Sequence, residues 1–324
     1  MINIPIDIGR TGSLGIAIEA SPGSANTTMS AYLPYSDISL RGHHEAIEDI
    51  SARTSRLMDS DSVIGKRWTE GDVEINADTV NAGYLWKLAL GTELYAAGTP
   101  NNHTFYLGTT ASGNTPLTAT LIQTRANTTD IEQYTYAAID ELTFEVSDGL
   151  ATLNASFQAQ FPVAGAAQTV TTTSGTVLAF KDYFVQFGAT LTAAGTAATT
   201  PINEFSLTIA NNLEVIHRSG SSDVSIIRTK GVRVTGSYTL FFDSVTDRDA
   251  YYALQKRSMI LTASGILNES LRIRIPEFRL SEADISTGLD DFYTITAEFV
   301  AEDDVDSGVR LMDCRLQNGK STSY

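Results

Sequence analysis

The chain has 324 residues, 42% of them apolar, with 22 basic and 38 acidic side chains for a formal net charge of −16. That apolar share excludes a disordered chain, and a surface so acidic repels nucleic acid rather than gripping it. Cys314 is the only cysteine, so no internal disulfide forms, no run of about 18 apolar residues marks a membrane helix, and MINIPIDIGRTG has no secretory pattern; the expectation is a soluble product of a reducing cytoplasm.

Thr, Ser, Gly, Asn and β-branched residues dominate, and the strongest periodicity is two, which predicts a mainly β fold. Gly71–Ala77 alternates, with Val73, Ile75 and Ala77 on one face. DTVNAGYLWKLAL (Asp78–Leu90) reads as a helix, since Asp78 is a good N-cap and Val80, Tyr84, Leu85 and Leu88 make one stripe. Glu141–Val146 and Ala151–Gln160 read as a hairpin turned at Asp148-Gly149. Val163–Val177, small and uncharged, reads as a linker. Gly231–Phe242 sets Val232, Val234, Tyr238 and Leu240 on one face, and a second helix is expected over Thr246–Lys256. In LRIRIPEFRL (Leu271–Leu280), Pro276 predicts a strand end or an edge. Phe292–Phe299 alternates again.

The two halves match in order. Asp37–Leu40 answers Glu204–Leu207 at a spacing of 167, while Gly71 answers Gly236 and Asp78 answers Asp243 at 165. Ile139–Leu142 pairs with Ile275–Phe278 at 136, and Thr152–Phe157 with Thr294–Phe299 at 142. Gly98–Gln123 and Gly188–Thr200 read as loop insertions that absorb the length differences. An internal duplication follows, with units at residues 1–165 and 166–324.

No chemistry announces itself. There is no phosphate-cradling loop and no nucleophile elbow. The four histidines, at 43, 44, 103 and 217, lack zinc-site spacing, and Glu302–Asp306 lacks the periodicity and glycine of a calcium loop. Asp290-Asp291 has no visible partner across a scissile bond, and Trp68 and Trp86 lie in strand and helix contexts that favour packing over sugar stacking. The reading is a protein that is not an enzyme and takes no cofactor or metal.

An ordered set of segments resembles the tail tube proteins of long-tailed, non-contractile bacteriophages. Leu14–Asp49 carries a G-x-x-x-E-x-x-P-G stretch (Gly15–Gly23), then LPY and EAIED. Gly71–Gly91 supplies a strand, an aspartate and a helix ending in glycine, and Phe299–Glu302 gives a closing FxAE. The resemblance covers most of the chain, and its weight lies in the order of the segments.

The resemblance implies two tandem tube-type units, each a β-sandwich or open barrel with a short flanking helix, assembled into stacked rings that conduct DNA out of the capsid. A chain with two units needs three copies for a six-fold plan, so a trimeric ring with pseudo-six-fold symmetry is expected, with a hexamer of chains as the alternative. Four inner strands per unit give about 24 strands and, at a tilt near 40°, a backbone diameter of about 48 Å, wide enough for a duplex about 20 Å across. Asp72, Glu74, Glu141, Glu145 and Glu298 are the candidate acidic lining, with Ser237 and Thr239 in the second copy. Ile47–Lys66 and Glu214–Lys230 are candidate arms, with Met58, Val63, Ile64, Val224, Ile226, Ile227 and Arg228 as contacts between rings or subunits. Partners are further copies, other tail proteins at the tube ends and passing double-stranded DNA, with no membrane. The setting is a virion tail assembled in the host cytoplasm. A cell-surface or carbohydrate-binding β-sandwich module, a carbohydrate-active enzyme, or another phage tail or head-completion protein stay open as alternatives.

Overall fold

The structure is a computed structural model describing residues 11–49, 61–107, 115–125, 130–173, 175–242, 244–286, 292–304 and 311–324. It is mainly β, with open sheets and a few short helices. The first half holds β1 (Ser13–Ile18), β2 (Ala31–Leu33), β3 (Tyr35–Ile38), β4 (Arg41–Asp49), β5 (Asp61–Asn76), β6 (Gly91–Ala96), β7 (Asn101–Leu107), β8 (Ala119–Thr124), β9 (Ile131–Val146), β10 (Thr152–Ala159) and β11 (Val163–Ala164). The second holds β12 (Tyr183–Gly188), β13 (Glu204–Ala210), β14 (Leu213–His217), β15 (Val224–Thr229), β16 (Arg233–Phe241), β17 (Arg257–Ser264), β18 (Ser270–Ser286), β19 (Thr294–Ala301) and β20 (Asp313–Asn318). The helices are α1 (Ala82–Leu90), α2 (Leu191–Thr196) and α3 (Thr246–Tyr252).

One antiparallel sheet runs through both halves. Its order is β3 and β4, then β5, β10, the C-terminal part of β9, β13, β16, β19 and the C-terminal part of β18. The halves join at β9 and β13, where Ser206 lies opposite Glu145 and Thr208 opposite Thr143. Period-two alternation turns Val73, Ile75, Phe144, Phe157, Leu207 and Ile295 to one buried face. There Phe299 packs on Phe278 at 5.4 Å and on Phe205 and Tyr238 at 6.3 Å between ring centroids. Burying each such side chain contributes about 2–3 kcal/mol.

Covering sheets close the other side of this core. The N-terminal part of β9 joins β2, β1, β8 and β11, and the N-terminal part of β18 joins β12, β17, β20, β7 and β6. The hairpin β6–β7 of the first half thus completes a sheet of the second.

Pairing in the two halves repeats. Val73 faces Ile38 and Ala155 where Tyr238 faces Phe205 and Ala297. The ladder slips after Ser156 on β10 and after Glu298 on β19. A Cβ on Gly71 would meet the Ser39 carbonyl oxygen at 2.6 Å, and one on Gly236 would meet the Ser206 oxygen closer still. Only glycine lets these strands approach at those positions.

Several expectations need correction. Ile139 lies across from Phe157 and Leu280 across from Phe299, so Ile139–Leu142 corresponds to Leu280–Ala283 and not to Ile275–Phe278. Pro276 is inside β18, at the slip between Ile275 and Phe278 where the strand leaves its covering sheet, and its carbonyl accepts from Ser258 Oγ at 2.5 Å. Gly98–Gln123 is no plain insertion, because it contains β7 and most of β8, and β8 slips against β9 as β17 does against β18. Gly188–Thr200 contains α2. Helix α1 begins at Ala82, after a turn in which Asp78 Oδ1 accepts the N–H groups of Val80 (2.7 Å) and Asn81 (2.5 Å). It is buried nearly all round rather than along one stripe, since β9 lies on one side and β6, β7 and Tyr324 on another. Helix α3 stops at Tyr252, and Asp243 lies outside the described residues. The Val163–Val177 segment lies along the first half: β11 pairs with β9, and Thr79 N–H donates to the Thr176 carbonyl at 3.1 Å.

Candidate assembly surface

The long sheet's other face is open and rich in carboxylates. Asp72 and Glu74 alternate with buried Val73 and Ile75, Glu141 and Glu145 with Leu142 and Phe144, and Glu298 with Ala297 and Phe299. All five candidate acidic residues therefore lie on one face, together with Ser237 and Thr239. Pairing adds Asp37, Glu70, Glu204, Glu282 and Asp284, which the sequence reading missed. The Asp37–Leu40 and Glu204–Leu207 match already held two of them; Glu282 and Asp284 were hidden by the mistaken β18 register. Neutral residues separate many of the charges: Ser156 lies between Asp72 and Glu141 and donates to Asp72. Asp37 and Glu74, and Glu282 and Glu298, are directly opposed like charges, which destabilise a pair of strands.

The sheet ends in two edges. Among the described residues β3 and β4 pair only with β5, and Glu282–Ser286 pairs only with β19. Unpaired edges of this kind are templates for another strand.

Two hairpin arms extend from one end of the sheet. In the first, Ala46 lies opposite Ile64 and Ile47 opposite Val63; in the second, Val215 lies opposite Ile227 and Ile216 opposite Ile226. Ile47, Val63 and Ile64 are 54%, 64% and 61% exposed. The second arm differs. Val224 and Ile227 are buried against Tyr136 and Ala138 of β9, with Ile227 N–H donating to the Tyr136 hydroxyl at 3.2 Å and Gln160 Nε2 to the Val224 carbonyl at 3.1 Å. Arg67 and Asp223 add an ion pair at 3.0 Å. Those two apolar side chains are accounted for within the chain, a correction to reading them as reserved for another subunit. Ile226 is half-buried, Arg228 is exposed and donates to Thr115 Oγ1 at 2.9 Å, and Met58 lies outside the described residues.

The polar clusters have structural partners. Among the described residues no three His, Cys, Asp or Glu side chains gather as a metal site. His43 stacks on Trp68 at 5.8 Å, Trp86 is in the core, and Glu302 pairs with Arg279 at 2.9 Å and Lys256 at 3.0 Å. A model of the phage tail tube protein family matches residues 9–304. The chain belongs to that family. No curated protein matches it. Tail tube proteins are non-catalytic structural parts of the virion tail, which associate with themselves and with other tail components.

In this tail tube protein the opening motif is a structural lock. Buried Glu19 accepts the Gly23 N–H at 2.8 Å, the Thr118 and Thr120 hydroxyls at 2.8 and 2.9 Å, and the Tyr136 N–H at 2.9 Å. The carboxylate thereby satisfies β8, the bend of β9 and its own turn at once.

Proposed function

We propose that three chains close into a pseudo-six-fold ring, that rings stack into the tail tube, and that DNA leaves the capsid through the bore. The observation that carries this reading is the β9–β13 junction, which merges the two halves into one open sheet of eight strand positions, four from each half with β3 and β4 sharing one beside β5, and with two edges unpaired among the described residues. Three such sheets supply the about 24 strands that a duplex-wide bore requires. The repeated pairing supports a duplication with tube-type units at residues 1–165 and 166–324, and the join within one chain favours a trimer over a hexamer of chains.

In this reading the open face lines the bore. Asp72, Glu74, Glu141, Glu145 and Glu298 repel the phosphate backbone, so DNA passes without specific binding. The exposed Ile47, Val63 and Ile64 of the first arm meet a neighbouring ring or subunit, as do Ile226 and Arg228. Other tail proteins cap the tube ends, no membrane partner is involved, and assembly takes place in the host cytoplasm. Electron microscopy with helical averaging tests the proposal: hollow tubes with three-fold rings of six lobes are expected, whereas six chains per ring, or compact particles at every concentration, would overturn it.

A further inference from the structure

The β9–β13 junction is a template for the contact between chains. In the repeated pairing, β13 corresponds to Asp37–His43 and the C-terminal part of β9 to the C-terminal part of β18. Within the chain Ser206 faces Glu145, Thr208 faces Thr143 and Ala210 faces Glu141. The Thr208 and Thr143 hydroxyls are 3.3 Å apart, so side chains at that step touch.

Resting on the ring reading above, we infer that the β3–β4 edge of one chain adds to the β18 edge of the next in this same register. Ser39 then faces Ser286, Arg41 faces Asp284, and His43 faces Glu282, the last residue of each pair belonging to the neighbouring chain. The neutral threonine contact inside the chain becomes an Arg41–Asp284 ion pair between chains. Charge complementarity supports the assignment. Arg41 is exposed and hydrogen-bonds to His43 Nε2 at 3.3 Å, with no carboxylate paired to it among the described residues. Glu282 and Asp284 are exposed, have no ion-pair partner among the described residues, and Glu282 faces Glu298 directly. Asp37 and Glu45 make the β3–β4 edge mixed in charge, but in the chosen register its two cationic-type side chains, Arg41 and His43, are the ones that meet Asp284 and Glu282. A shift by one residue would set Arg41 opposite Ala283 or Ile285 of the neighbouring chain, whose side chains pack on the core, and lose the match.

Cysteine pairing tests the register. In the Ser39→Cys/Ser286→Cys variant, oxidation is expected to give a covalent trimer on a denaturing gel, reversed by reductant. Either single variant should stay monomeric, as Cys314 is buried. Arg41→Asp and Asp284→Arg alone should each raise the concentration needed for rings about tenfold, and the double exchange should restore it. Unmodified protein that forms rings while a shifted pair such as Ser39→Cys/Asp284→Cys links better would overturn this register and leave the tube reading intact. Absence of rings under all conditions would overturn both.

Discussion

The carboxylate of Glu19 accepts the backbone N–H of Tyr136 at 2.9 Å, and Tyr136 stands at φ 59°, a conformation L residues rarely adopt. The same tyrosine's hydroxyl accepts the Ile227 N–H from the second arm. One buried acid therefore holds the bend that carries β9 from its covering sheet into the long sheet, and through it the seat of the arm. Glu19→Gln places an amide donor among donors and is expected to cost about 2–4 kcal/mol. Urea unfolding checks the magnitude, and faster proteolysis within β14–β15 checks the link to the arm.

A second buried carboxylate makes stability depend on pH. Glu93 lies 2.9 Å from His103 Nδ1 and 3.0 Å from Lys87 Nζ, and accepts the Tyr324 N–H at 2.9 Å. Burial alone would raise its pKa, but the hydrogen bonds from His103 and Lys87 outweigh it and hold the group below the ordinary carboxylate range. A lowered folded-state value stabilises the protein above the unfolded pKa, and that contribution is lost as pH falls through the folded value. Glu93→Gln is expected to be less stable by about 3 kcal/mol at neutral pH, with the gap from the unmodified chain closing below about pH 4. Unfolding free energies from pH 3 to 7 give the comparison.

Two glycines with positive φ predict unequal costs. Gly71→Ala meets a carbonyl oxygen and a backbone at φ 150°, and about 2–4 kcal/mol of destabilisation is expected. Gly91→Ala, at φ 83° with nothing near the added carbon, should cost about 1 kcal/mol. Thermal unfolding of the two variants separates close approach from backbone conformation.

The arms should respond oppositely. Ile227→Asp buries an unpaired charge and is expected to destabilise the monomer by about 3–5 kcal/mol. Val63→Ser with Ile64→Ser should leave monomer stability within about 0.5 kcal/mol while preventing tube growth, as measured by unfolding and by sedimentation of polymers.

Charge reversal tests the bore. With Asp72, Glu74, Glu141, Glu145 and Glu298 all changed to Lys, assembled tubes are expected to retain duplex DNA at low salt and release it as salt rises. DNA that stays unbound in tubes of normal shape would place these residues elsewhere.

Much of the fold could be read along the chain because its signals are local. Val73 and Ile75 against Asp72 and Glu74, or Phe144 against Glu145, announce a strand face by alternation alone, and Gly71 and Gly236 mark equivalent backbone approaches 165 residues apart. The tandem order of these segments carried the likeness to tail tube proteins. What alternation cannot supply is the partner of each strand. Ile275–Phe278 and Leu280–Ala283 both fit the pattern of Ile139–Leu142, and only the facing residues of β10 and β19 choose between them. Burial of Val224 and Ile227 depends on Tyr136, far away in sequence, so nothing in the arm's own residues shows that β9 lies beneath it. Hydrophobic periodicity follows from the geometry of one strand. Register, edges and the seating of arms follow from contacts between strands distant in the chain, and those exist only once the molecule has folded.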